Sequence, residues 1–306
     1  MKGVRINASM LVLLLMVASQ PLVAQEKGEN KWYNRLGRWV TAEPWEVEDA
    51  IPMVHTKTLL GAGQYGVVDE YLSPISHFGK QFSVTALTDY AKPSGRSWHL
   101  YQEAMAMWAM PENNANKTVM DVYRGEFSLG PAWRVLHRKG WSVDVAPLFN
   151  LQLQLNWKAS NTNNYGNVKG TMGLDAWSRV RYQLPWKVSK IAISYSAQFS
   201  LIHGTFQPAF GQSYYEYVSG GKRTPIQVHL TALHNNLTLR QRLLLDFPIH
   251  HLTMTLGAEY YHQNQKLSHT QFTQGYWGVL LGVSWDSFWV SGGRATNSRS
   301  ITNSLN

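Results

Sequence analysis

Residues Trp141–Trp157 read WSVDVAPLFNLQLQLNW. Trp141, Val143, Val145, Pro147, Phe149, Leu151, Leu153, Leu155 and Trp157 occupy one parity. Ser142, Asp144, Ala146, Leu148, Asn150, Gln152, Gln154 and Asn156 occupy the other. A period of two is the signature of a strand, because successive side chains leave a pleated chain on opposite faces. One face is therefore apolar with tryptophan at both ends, and the other is largely amide and hydroxyl. Two environments can produce such a strand: a sandwich core against water, or lipid against a polar interior. Pro147 interrupts the pattern, since it removes a ladder donor and predicts irregular pairing at that point.

The same alternation recurs along the chain. Phe82, Val84, Ala86, Thr88 and Tyr90 oppose Gln81, Ser83, Thr85, Leu87 and Asp89. Met172, Leu174, Ala176, Ser178, Val180 and Tyr182 oppose Thr171, Gly173, Asp175, Trp177, Arg179 and Arg181. Comparable runs cover 98–108, 123–129, 191–201, 237–246, 252–260 and 277–285, and a weaker one covers 52–62. Helical periodicity is nearly absent, so the chain is all-β. Short connectors (91–96, 136–140, 184–187, 246–251) alternate with longer ones (63–79, 111–117, 158–170, 204–233, 262–269). A meander that is tight at one end and loose at the other predicts an up-and-down antiparallel transmembrane β-barrel, with short periplasmic turns and long external loops. The runs give ten strands, or twelve if 204–233 adds a hairpin.

The N-terminus supplies the compartment. Lys2 and Arg5 precede the apolar run MLVLLLMVAS (10–19) and then QPLVAQ. This predicts a signal peptide over 1–24, cleaved after Ala24, because the run is too short to span a bilayer. Residues 25–50 read as a polar N-terminal periplasmic arm with an acidic end, 51–292 as the barrel, and 293–306 as a tail. No cysteine is present, which excludes disulfides, thiolate metal sites and cysteine nucleophiles. The formal net charge is +9, but the basic residues are dispersed. This argues against nucleic acid and suits anionic lipopolysaccharide.

The chemistry of the polar face decides between the two environments. It carries Gln, Asn, Ser, Thr and Gly, with arginines and carboxylates mixed and lysine scarce. A narrow interior favours that mixture, because guanidinium and carboxylate satisfy one another. Glu103, Arg124, Glu126, Asp144, Asp175, Arg179, Arg181, Arg240, Arg242 and Glu259 are the expected lumen-lining residues. Trp141, Trp157, Tyr182, Tyr195, Trp277 and Trp285 are the expected membrane-interface aromatics, since amphipathic rings settle where hydrocarbon meets water.

Together these features resemble Gram-negative outer-membrane β-barrel proteins over roughly residues 51–285. The segment EYLSPISHFG (70–79) is also similar to a motif of an uncharacterised family of exported proteins without assigned activity. The resemblance implies outer-membrane location, lipid and lipopolysaccharide as surroundings, and assembly by the barrel-assembly machinery. The chain departs from the common pattern of a last strand ending in an aromatic residue, because Trp285 and Trp289 are followed by GGRATNSRSITNSLN.

No catalytic, cofactor or metal motif emerges. His203 near Ser200, and His269 beside Ser268, are the candidates for a barrel enzyme acting on envelope lipids as a phospholipase or in lipid A modification. Neither has diagnostic spacing. His250 and His251 are adjacent and would point to opposite faces of a strand. The leading expectation is a non-catalytic barrel with a structural, small-pore or surface role. The alternatives are that lipid enzyme and a soluble secreted β-sandwich that binds glycans.

Overall fold

The computed structural model describes residues 53–91, 98–138, 140–161, 165–184, 191–208, 228–249, 252–267 and 269–288. They form eleven strands: β1 Met53–Asp69, β2 Ser73–Ala91, β3 Trp98–Glu112, β4 Asp121–Arg138, β5 Trp141–Trp157, β6 Gly166–Gln183, β7 Ala192–Phe206, β8 Val228–Ala232, β9 Asn236–Ile249, β10 Leu252–Leu267 and β11 Thr270–Phe288. The expected arm, the signal segment and the 293–306 tail lie outside the described residues, as do His250, His251 and residues 209–227 of the 204–233 connector. The observed strands run within the expected 51–292 barrel.

Neighbours in sequence pair antiparallel, and the last strand returns to the first. β1 pairs with β11 from Met53↔Phe288 to Asp69↔Phe272, while β6 pairs with β7, so the sheet closes. β8 and β9 both lie along β7, through Ile202↔Ala232 to Phe206↔Val228 and Ala192↔Asp246 to Phe199↔Leu239. They share one position in the wall, separated by a turn at 233–235. The barrel thus has ten positions, the lower of the two expected counts. A sandwich of two stacked sheets is excluded by this closure.

Two of the longer expected connectors are mostly strand. β1 and β2 remain paired up to Asp69↔Ser73, so residues 70–72 alone turn the chain where 63–79 reads as a loop. β10 and β11 pair up to Leu267↔Thr270, which leaves a two-residue turn. Glycine hides the first of these strands in the sequence. A Cβ on Gly63 would lie 2.0 Å from the Trp277 carbonyl oxygen, so the position needs glycine because the neighbouring backbone comes close. The turn in the second is made by His269, at φ 61°. The longer connectors at that end are 113–120, 158–165 and 207–227. We call it the upper end; β1 begins at the lower end.

Pro147 keeps its register with Ala176 of β6. Its β4 ladder, however, stops at Leu129↔Phe149 and resumes at Trp133↔Val145. Pro131 sits in the gap opposite Pro147, so neither residue at that crossing brings an N–H to the ladder.

The two faces are inverted relative to a soluble protein. Leu151, Leu153, Leu243, Leu256, Val279 and Leu281 are exposed on the outside, whereas Arg124 is among the most completely buried side chains. The interior is also less uniformly polar than the alternation suggests. Leu59, Tyr101, Leu148, Trp177, Leu244 and Leu280 form one inward apolar cluster, and Tyr65, Met105, Met107, Tyr261, Phe272 and Tyr276 belong to another. Gly282 makes room for the first, since its Cβ would lie 2.7 Å from Leu59 Cδ2.

Closure has a direct test, made simple by a chain without cysteine. Leu60 and Leu281 are register partners across β1 and β11, and such partners lie roughly 4.5–5.5 Å apart at Cα. That separation is within the range a disulfide bridges. Oxidation of a Leu60→Cys/Leu281→Cys variant should give a cross-linked species with shifted electrophoretic migration. A folded variant that stays uncrosslinked would show that these strands do not meet.

Candidate functional site

The polar side chains of the described strands gather in the interior, and the pleat places them there. Residues of one parity from every strand turn inward, and three polar layers result. The middle layer joins β3, β4, β9, β10 and β11. Arg240 donates to Glu103 at 3.1 Å and to Glu126 at 2.6 Å. Arg242 donates to Glu103 at 2.9 Å and to Glu259 at 2.7 Å. Arg124 donates to Glu126 at 2.5 Å. Tyr101 donates to Glu103 at 2.8 Å, and the Tyr276 hydroxyl donates to Glu259. Three guanidiniums therefore face three carboxylates, and their charges cancel across the barrel.

The lower layer is built on Arg179, which donates to Asp89 and to Asp144, each at 2.8 Å. Arg134 reaches Asp144 at 3.3 Å and His99 reaches Asp89 at 3.0 Å. Across the same space Lys57 donates to Asp246 at 2.5 Å, which also accepts from Thr255 at 2.6 Å. A cavity of about 40 Å³ lies between these groups, with Arg181 on its wall. The upper layer is mostly amides gathered around Asp69, which Lys169 also meets at 3.3 Å. Gln154 and Gln274 exchange hydrogen bonds at 3.0 Å, while Asn156 and Asn167 both donate to Asp69.

A further interior group is His203, whose Nε2 is 2.7 Å from Asp175 Oδ1. Gln198 donates to Asp175 Oδ2 at 2.6 Å. Gly173 lies under the imidazole, because a Cβ there would be 2.2 Å from His203 Cδ2. Next to the pair is a cavity of about 10 Å³, roughly the volume that admits one water molecule. Ser200 is turned away, donating to the Asn236 carbonyl at 2.9 Å.

The ten charged residues singled out from the sequence all belong to this interior. Glu103, Arg124, Glu126, Arg240, Arg242 and Glu259 meet in the middle layer. Asp144, Arg179 and Arg181 lie below it, and Asp175 pairs with His203. The aromatic set lies outside. Trp141 and Tyr182 are register partners at the lower end, with ring centroids 4.4 Å apart. Tyr195 is exposed, and Trp285 pairs with Thr56, also toward the lower end. Trp157 stacks on Tyr165 at 6.0 Å, and Trp277, exposed beside Tyr260, lies nearer the upper end. Sequence reasoning missed Lys57, Asp69, His99 and Lys169. Asp89 was legible as part of an inward row, but nothing in the sequence gives its partner Arg179, which stands ninety residues on.

His203, a candidate of the alternative lipid-enzyme reading, sits inside the barrel. It is 4% exposed and points inward, away from the face that would meet acyl chains. His269 lies in the upper β10–β11 turn, at φ 61°. Among the described residues, no cluster of His, Asp and Glu has the arrangement of a metal site.

A closed antiparallel sheet, apolar outside and ion-paired inside, defines a β-barrel of the membrane type. Residues 9–280 match the family described as "Protein of unknown function (DUF3316)", and the chain belongs to that family. No curated protein matches the chain in sequence. Among solved structures the chain is similar to the outer membrane protease OmpT from Escherichia coli, at 7% identity and TM-score 0.48, covering 80% of this chain and 99% of that one. It is also similar to the transport unit of the autotransporter AIDA-I from Escherichia coli, at 8% identity and TM-score 0.41, covering 92% and 98%. The translocator domain of autotransporter NalP from Neisseria meningitidis follows at 8% and 0.41, covering 82% and 92%.

The middle layer gives a stability prediction. Glu103→Ala would leave Arg240 and Arg242 without a shared carboxylate inside the barrel, and breaking a buried pair in this way costs about 3–5 kcal/mol. Glu103→Gln should cost less, because the amide oxygen still accepts. Unfolding by urea in detergent micelles, followed by loss of heat-modifiable migration, measures both.

Proposed function

We propose that this protein is a non-catalytic outer-membrane β-barrel, sealed across its middle, that serves a structural or surface role. The carrying observation is the neutral layer of Arg124, Arg240 and Arg242 with Glu103, Glu126 and Glu259, flanked on both sides by apolar clusters. A conducting pore needs a continuous wet path, and here the ion pairs and aromatic rings occupy it. Two interior cavities among the described residues, about 10 and 40 Å³, have room for no more than a few water molecules. Catalysis on lipids is disfavoured because the His203–Asp175 pair faces inward.

On this reading the signal peptide at 1–24 exports the chain and the barrel-assembly machinery inserts it. The outward aliphatic residues meet acyl chains. Trp141, Tyr182, Tyr195 and Trp285 settle at one interface, and Trp157 and Trp277 at the other. Lipopolysaccharide surrounds the external side, where the longer upper connectors project.

The test combines location with conductance. The protein should fractionate with the outer membrane, migrate differently before and after boiling, and show no steady conductance in planar bilayers. Recovery in the soluble periplasm, or a stable open channel from unmutated protein, would refute the proposal. On the outer face, Leu281→Arg should destabilise insertion by about 2–4 kcal/mol if the residue sits near the bilayer midplane. Folding titrations into lipid vesicles would read that cost.

A further inference from the structure

β7 changes partner partway up the wall. It pairs with β9 as far as Phe199↔Leu239 and with β8 from Ile202↔Ala232, so Ser200 and Leu201 fall between the two ladders. On its other edge the register with β6 shifts between Leu174 and Asp175. The Ser200 hydroxyl stands in for the interrupted ladder, accepting from the Thr238 N–H at 3.0 Å and donating to the Asn236 carbonyl at 2.9 Å. Asp175, Gln198 and His203 turn inward at this seam, and the cavity of about 10 Å³ lies against them.

Three residues lining that cavity each keep a buried polar atom that no described protein group meets: His203 Nδ1, Gln198 Oε1 and Arg240 Nε. Their chemistry is complementary. Asp175 accepts the Nε2–H of His203 and the amide N–H of Gln198, because a carboxylate has no proton to give. The neutral imidazole then presents Nδ1 as an acceptor, and Gln198 presents Oε1 as a second. Arg240 Nε is a donor, and Glu259 Oε1, at 3.7 Å, stands beyond hydrogen-bond reach of it. Two acceptors and one donor around one space call for a ligand with two protons to donate and a lone pair to accept. The guanidinium disfavours a metal cation there, and the two bare acceptors disfavour a halide. Water satisfies all three groups, and about three hydrogen bonds are usual for a buried water molecule.

We propose that this cavity is a binding site for a single trapped water molecule, which donates to His203 Nδ1 and Gln198 Oε1 and accepts from Arg240 Nε. The water ties the wall, at the place where its ladder is interrupted, to the ionic layer through Arg240, which itself holds Glu103 and Glu126. His203 is then a positioning residue of the seam, with Asp175 on one ring nitrogen and the water on the other. A bulge beside a polar site is a recurrent device for aiming side chains, and here it aims three of them at one small space.

NMR of the full, unmutated chain in a bilayer nanodisc tests this. Long-range proton–nitrogen spectra of the His203 ring should show Nε2 protonated and Nδ1 bare. The ring proton between the two nitrogens should cross-relax with water, with the negative sign of a long-lived, trapped molecule. Gln198→Leu removes one of the water's acceptors and should weaken that signal at least severalfold. It should also quicken hydrogen exchange of the Thr238 amide severalfold, since the seam loses its tie to the ionic layer. Heat-modifiable migration reports whether the variant is folded, and Gln198→Met is the milder replacement if it is not. A ring protonated at Nδ1, or no cross-relaxation in the folded unmutated protein, would overturn the site. A signal indifferent to both replacements would overturn its assignment to these atoms, and unchanged Thr238 exchange would overturn the role at the seam.

Discussion

Pairing of β1 with β11 is the constraint on which everything else rests. A sheet with two free edges must hide or protect them, and in hydrocarbon each unpaired backbone group would cost several kcal/mol. The continuous register from Met53↔Phe288 to Asp69↔Phe272 removes the edges. Only then can the outer face be given over to Leu, Val, Phe and Met without an apolar partner from the same chain. It also makes an interior that every strand must help to fill, because ten strands enclose a space of side-chain dimensions.

That interior explains why charge is distributed as it is. A buried ion pair contributes little net stability against an apolar alternative, but losing one partner is costly. Such a layer therefore acts mainly as a specification. Arg240 touches carboxylates from β3, β4 and β10 at once, and this is possible only when those strands stand at the observed heights around the wall. A register slip of one residue would turn these groups outward. The apolar clusters above and below fill space, and the ionic layer fixes which strand faces which.

Much of this was legible in the sequence, and the remainder failed for physical reasons. The 141–157 alternation gave β5 with its true bounds, because seventeen residues of period two have no competing helical reading. The inward charged rows were visible for the same reason. The upper halves of β1, β2 and β10 were not. Glycines at 61, 63, 66 and 79 erase the pattern in the first two, and amide-rich HQNQK (262–266) resembles a polar loop although Gln263 and Gln265 are buried inside. Partner choice was illegible throughout. Asp89 meets Arg179, and Glu103 meets Arg240 and Arg242, across the barrel, and local sequence does not encode contacts made through a closed space.

The central claim is that outward side chains are solvated by lipid while inward ones are sealed from both lipid and water. Methyl NMR of native leucines in a bilayer nanodisc addresses it without substitution. The account predicts that Leu151, Leu243, Leu256 and Leu281 are relaxed by a lipid-borne paramagnetic probe, and that Leu59, Leu148 and Leu280 respond neither to it nor to a water-soluble one. Relaxation of the inner set by the water-soluble probe would reveal an open channel, and protection of the outer set from the lipid probe would contradict the barrel's orientation of its faces.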